Sequence, residues 1–144
     1  MLRWHIILSF LALVLTAEAA SADELAVIVN VANTTPSLDA KTVKAHFLKT
    51  VPAWSNGDRV RAVDQADASP KRAAFLGKVL GMSPTELERY WLERQYASAD
   101  TPPAKAPDDA TVIRIVKTFK GAIGFVSKEA AEREGVKVVL LVQY

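Results

Sequence analysis

The chain has 144 residues, carries 18 Lys and Arg against 16 Asp and Glu for a formal net charge of +2, and contains no cysteine. Interspersed, nearly balanced charge leaves no basic footprint for nucleic acid and no polybasic run for anionic lipid. Without cysteine there is no disulfide, no thiol nucleophile and no Cys-ligated metal, so packing alone must hold the fold.

Residues 1–22 read as a cleavable secretory signal peptide. Arg3 supplies a short positive start, Ile6 to Leu15 form an apolar run broken only by Ser9, and small residues follow. Ala17-Glu18-Ala19 and Ala20-Ser21-Ala22 are both cleavage sites of the A-x-A type. The apolar run is about ten residues where a spanning helix needs about twenty. No later segment is long and apolar enough to span a bilayer, so the expectation is a soluble exported protein. Residues 23–144 then form a single domain, since about 120 residues support one core and are too few for two.

Leu25 to Val31 is rich in β-branched residues and apolar on both faces, the pattern of a strand inside a sheet. After the polar loop Ala32–Ser37, Asp39 is the N-cap of a helix through Phe47, with Leu38 and Val43 spaced as a hydrophobic staple. Pro52 ends that helix, and Trp54-Ser55-Asn56-Gly57-Asp58 makes a turn. Arg59 to Val63 alternates as a half-exposed strand, and Asp64 to Ala68 is a loop. Ser69-Pro70 opens a helix that stops at Gly81, and Ser83-Pro84-Thr85-Glu86 is a capping box for the next one.

Ser98 to Pro107 reads as a surface loop. Asp108 or Asp109 caps a helix whose inner face carries Val112, Val116 and Phe119 and which ends at Gly121. A short strand, Ala122–Val126, follows, with Gly124 allowing close packing on a helix. Ser127 caps a short exposed helix ending at Gly135, and Val136–Val142 is a last strand. The order β-α-β-α-α-α-β-α-β predicts a three-layer α/β/α domain with a mainly parallel sheet. Ligands of such sheets sit at the C-terminal strand ends, here the loops Asn30–Ser37 and Asp64–Ser69.

Catalytic signatures are lacking. Beyond the leader there is one His, His46, read as solvated or half-buried on the first helix, and one His with no Cys cannot build a usual zinc site. There is no nucleophile elbow, Gly-rich dinucleotide turn or P-loop. The pair Asp108-Asp109 is explained by helix capping, and Glu129, Glu132 and Glu134 by a solvated helix face. Trp54, Phe75 and Trp91 read as core. The one stretch with ligand chemistry is Asp64 to Arg72. There Asp67, Ser69, Lys71 and Arg72 surround a helix start, where a hydroxyl, free amides and a positive helix end suit either an oxyanion or an ordinary helix cap, and Pro70 removes one of the amides.

At these residues the chain resembles the substrate-binding component of bacterial phosphate ABC importers, a periplasmic binding protein of the type II class. Leu25-Ala-Val-Ile-Val-Asn30 resembles the strand that re-enters one lobe of that fold. Leu38 through Phe47-Leu48-Lys49, then Trp54-Ser55-Asn56-Gly57, resembles the family's "IF-G" and "W" segment. Val60-Arg-Ala-Val-Asp64 resembles the next strand. Ser69-Pro70-Lys71 falls at the Ser-Gly-Thr phosphate loop, with Phe75 at the matching Phe. Lys120-Gly-Ala-Ile-Gly-Phe-Val126 resembles the "pGAIGYV" signature. Pro70 and Lys71 depart from the Gly and Thr, and Gln65 stands where the family has Arg.

The resemblance implies a single lobe of a receptor that normally closes two, a periplasmic location, no enzymatic activity and no cofactor. It implies weak binding of phosphate or another small oxyanion through Ser69, Lys71, Arg72 and Gln65, with Asn33 and Thr34 as weaker contacts. Partners consistent with it are an importer permease, another envelope protein or a second copy of the chain. The alternative is an accessory protein that keeps the lobe but has lost the ligand site.

Overall fold

Residues 23–144 are described by a computed structural model; the expected signal peptide lies outside the described residues. Five strands form one sheet in the order β3-β2-β4-β1-β5. They are β1 (Glu24–Val29), β2 (Arg61–Gln65), β3 (Ala104–Ala106), β4 (Ala122–Ser127) and β5 (Lys137–Gln143). The helices are α1 (Ala40–Phe47), α2 (Pro70–Phe75), α3 (Pro84–Ser98), α4 (Asp109–Thr118) and α5 (Lys128–Glu134). A π-helical turn, Leu76–Leu80, prolongs α2 as far as Gly81, whose φ of 61° ends it.

The run of apolar residues in β1 is buried on both faces because the strand has helices above and below it. Leu25, Val27 and Val29 face a core built with Val43 and Phe47 of α1, Phe75 of α2, and Leu87 and Trp91 of α3. Ala26 and Ile28 face a second core with Val112, Ile113 and Val116 of α4, and Ala130 and Ala131 of α5. The three-layer α/β/α arrangement follows, with α1 to α3 on one face and α4 and α5 on the other. Phe75 and Phe125 stack at 4.2 Å between ring centroids, and Phe47 leans on Phe75 at 4.6 Å. Burying each such ring stabilises the fold by about 1.5–3 kcal/mol.

The sheet is mixed. β2 pairs in parallel with β3 and β4, whereas β1 pairs antiparallel with both β4 and β5. Four strands therefore share a direction, and the reversed β1 lies between two of them. Val29 pairs with Ile123 and Arg61 with Ala122, so β1 ends at the edge of the sheet where β2 and β4 begin.

Local signals held where side chains act on their own backbone. Asp39 accepts from the Thr42 amide, Ser69 accepts from the Arg72 amide, and Ser83 and Glu86 exchange both bonds of a capping box. Differences arise where tertiary contacts decide. The loop Ser98–Pro107 contains β3, a three-residue edge strand held by β2 alone, too short and too polar to show a period. β2 begins at Arg61 rather than Arg59 and runs on through Asp64 and Gln65, which places both polar side chains inside the sheet. α4 stops at Thr118, leaving Phe119 exposed beneath the Arg61 guanidinium at 3.8 Å, instead of in the core. Gly121 is therefore no helix cap. It lies where a Cβ would overlap the Arg59 carbonyl.

His46 is buried rather than solvated. Its Nδ1 donates to the Val51 carbonyl at 2.9 Å, and its ring packs 4.5 Å from Trp54. β5 is an edge strand with Leu141 exposed. Among the described residues, no helix is long and apolar enough to cross a membrane.

Candidate functional site

β2, β3 and β4 run the same way, so their C-terminal ends meet at one edge of the sheet, and each leads into a helix: β2 into α2, β3 into α4, β4 into α5. The first residues of those helices bring together side chains far apart in sequence. Gln65, the last residue of β2, is 1% exposed. Its Nε2 donates to the Phe125 carbonyl and to Asp109 Oδ1, both at 2.8 Å, and its Oε1 accepts from Ser69 Oγ at 2.8 Å. Every polar atom of this buried amide is thereby satisfied and its orientation fixed.

Asp109 is the centre of the cluster. Asp108 caps α4 by accepting from the Thr111 amide at 2.8 Å, which leaves the next carboxylate free to turn inward. Asp109 Oδ2 accepts from Ser127 N at 3.2 Å and Ser127 Oγ at 3.0 Å. Lys71 Nζ stands 3.5 Å from Oδ1. One carboxylate thus gathers an amide side chain, a hydroxyl, a backbone N–H and an ammonium from the β2–α2 and β4–α5 turns.

Arg72 is drawn elsewhere. Its Nε donates to Asp64 Oδ2 at 3.1 Å, and its Nη1 lies 3.5 Å from Asp67, which also accepts from Lys105 at 2.6 Å. Burial pushes the Asp64 carboxyl above the ordinary carboxylate range, and the opposing attraction of Arg72 does not cancel that effect. Exposed Asp67 is held below its usual range by the Lys105 hydrogen bond. Around the cluster Lys71, Arg72 and Lys105 face Asp64, Asp67 and Asp109, so the charges balance.

Gln65, Ser69 and Lys71 therefore come together, with Arg72 beside them but committed to Asp64. Asn33 and Thr34 do not join them. Because β1 is antiparallel to β4, the loop after β1 lies at the opposite end of the sheet. There Asn33 accepts from the Thr35 amide at 2.9 Å and its carbonyl accepts from Lys137, while Thr34 is exposed. The parallel-sheet rule placed both loops at one edge, and the reversed strand separates them. Asp109 and Ser127 were visible in the sequence only as capping residues. A second acid beside a sufficient N-cap was the one local hint, and nothing local showed that β4 adjoins β2.

Among the described residues, Ser69 Oγ makes no hydrogen bond to a base. Its hydroxyl donates to a Gln carbonyl oxygen, and the lone described His is bound to Val51. Among the described residues, no three His, Asp or Glu side chains gather where they could hold a metal ion.

No protein-family model and no curated protein sequence matches the chain. Solved structures do match it: the fold is that of one lobe of phosphate ABC transporter substrate-binding proteins. A Clostridium perfringens protein assigned to that class and solved with bound phosphate superposes with a TM-score of 0.65 at 19% identity, covering 81% of this chain and 44% of its own. An ABC-type phosphate transport receptor from Vibrio cholerae gives 0.65 at 20% identity, with coverage of 81% and 45%. PstS from Borrelia burgdorferi gives 0.63 at 10% identity, with coverage of 81% and 46%. The chain thus spans under half the length of these proteins, and at such identities the likeness establishes the fold.

Proposed function

We propose that this chain is a non-catalytic, periplasmic solute-binding-type domain related to phosphate-importer receptors, holding phosphate or a similar small oxyanion weakly at Gln65, Ser69 and Lys71. One observation carries this reading: the cluster already holds an oxyanion group, the Asp109 carboxylate, through Gln65, Ser127 and Lys71. Phosphate and sulfate present the same acceptor oxygens to the same donors. Arg72 adds charge next to the site while its hydrogen bonds go to Asp64. An anion on one open lobe keeps much of its water, and the balanced charge gives it no net attraction, so its dissociation constant is about 1 mM or weaker. The leader expected in residues 1–22 agrees with a periplasmic place of work, and one similar protein was solved with bound phosphate.

The expected outcome is a small rise in Tm with millimolar phosphate or sulfate, lost in Ser69→Ala. Absence of any shift with either anion overturns it. The same charge balance favours a second reading, an accessory protein that keeps the lobe without using its anion site. Light scattering separates the two. A ligand-independent dimer with no anion effect supports the accessory role, and a monomer that responds to anion supports the first reading.

A further inference from the structure

We infer that Asp109 is a tethered competitor for the oxyanion site, an internal carboxylate that sets how weakly any free anion binds. The inference rests on the proposed function and deepens it.

Asp109 occupies the donors of Gln65, Ser127 and Lys71, while the Ser69 hydroxyl donates to Gln65 Oε1 and holds that amide in place. Gln65 Nε2 at 2.8 Å cannot turn away, because its Oε1 is held by Ser69 and the same Nε2 also binds the Phe125 carbonyl. Ser127 presents its amide and hydroxyl to the same carboxylate at 3.2 and 3.0 Å, and Lys71 Nζ lies 3.5 Å away. A group carried by the protein's own backbone meets these donors at an effective concentration of about millimolar or above, so a free anion must match that merely to compete. A phosphate placed beside an ionised Asp109 would also face a like charge at contact distance.

The carboxylate has somewhere else to go. Its side chain is 19% exposed, and Asp109 also lines a cleft of about 340 Å³ between α4 and α5. Arg114, Lys117 and Arg133 also line that cleft, with Lys117 paired to Glu134 at 3.1 Å. Rotation of the side chain into that cleft vacates the donors and moves the carboxylate toward solvent. Binding of an anion is then an exchange of one oxyanion for another, and that is why it is weak.

The test compares wild type with Asp109→Asn, which keeps size and removes charge, and with Asp109→Ala, which empties the position. Asp108→Asn is the control. It changes net charge equally, and Asn caps a helix as well as Asp does. Inorganic phosphate and sulfate are titrated by calorimetry, with circular dichroism confirming that each variant is folded. The expected result is phosphate binding about tenfold or more tighter in Asp109→Asn than in wild type, with Asp108→Asn unchanged. If wild type binds phosphate and Asp109→Asn binds it no tighter, the competitor role is overturned while the oxyanion site stands. Equal tightening in Asp108→Asn makes the effect one of net charge and also overturns it. If neither wild type nor any Asp109 variant binds phosphate or sulfate, both the inference and the proposed site are overturned.

Discussion

Gly124→Ala tests how tightly the site is built into the packing. A Cβ at this position would stand 2.5 Å from Val112 Cγ1, while Val116 Cγ2 at 3.6 Å and the Val63 carbonyl at 3.7 Å are in ordinary contact. The overlap with Val112 is therefore about 1 Å beyond normal carbon contact. Val112 is fully buried, and a valine in a helix has one strongly preferred χ1, so relief requires α4 itself to shift. Overpacking of this kind costs about 1–3 kcal/mol, and each kcal/mol lowers the Tm of a domain this size by about 3–6 °C.

Val112→Ala alone leaves a cavity and costs about 1–3 kcal/mol. In the double variant the new methyl occupies part of the vacated volume, so the two losses fall short of their sum by about 1 kcal/mol. Urea denaturation of the two single variants and the double variant measures that coupling. Strictly additive losses, or an unchanged Tm in Gly124→Ala, would refute close helix-to-strand contact at this point. Because α4 carries Asp109 at its first turn, the shifted helix in Gly124→Ala should also loosen the contacts with Gln65 and Ser127.

Three further outcomes follow from the same structure. Ser83→Ala breaks a complete capping box on α3 and should cost about 1 kcal/mol in urea denaturation, whereas Ser83→Asp should be nearly neutral. Ser69→Ala removes both a helix cap and the hydroxyl on Gln65 Oε1. It should lower stability by about 1–2 kcal/mol as well as abolish the anion response, so the anion effect must be read against that new baseline. Asp64 sets a pH dependence through its raised pKa. A carboxyl raised on folding favours the native state below its ordinary range, and that contribution is lost as pH rises through the folded value. Relative to Asp64→Asn, wild type should therefore gain stability as pH falls toward and below the usual carboxylate range; a relative loss would mean that Arg72 outweighs burial.

How much was legible in the sequence depended on how local the cause was. Asp39, Ser69, Ser83, Asp108 and Ser127 each cap a helix through bonds that span only three residues; four were readable outright, and the fifth was left between Asp108 and Asp109. The buried strand β1 was readable because apolar residues on both faces have only one explanation in a sheet. The direction of β1 was not, since nothing in Leu25 to Val31 distinguishes parallel from antiparallel pairing. That one ambiguity misplaced Asn33 and Thr34. The three residues of β3 carry no pattern, and their pairing is decided by the neighbouring β2. The chemistry of Gln65, Ser69 and Lys71 was visible as donors around a helix start. What filled them was not, because Asp109 lies 44 positions from Gln65 and meets it only through the adjacency of β2, β3 and β4.

The proposed oxyanion site has Asp109 as its resident. Backbone amide NMR of residues 23–144 during a phosphate titration tests it most directly. Shifts should begin at Gln65, Ser69, Lys71, Asp109 and Ser127 and approach saturation at millimolar phosphate or above. Shifts confined to the cleft residues Arg114, Lys117 and Arg133, or none at all, would contradict it.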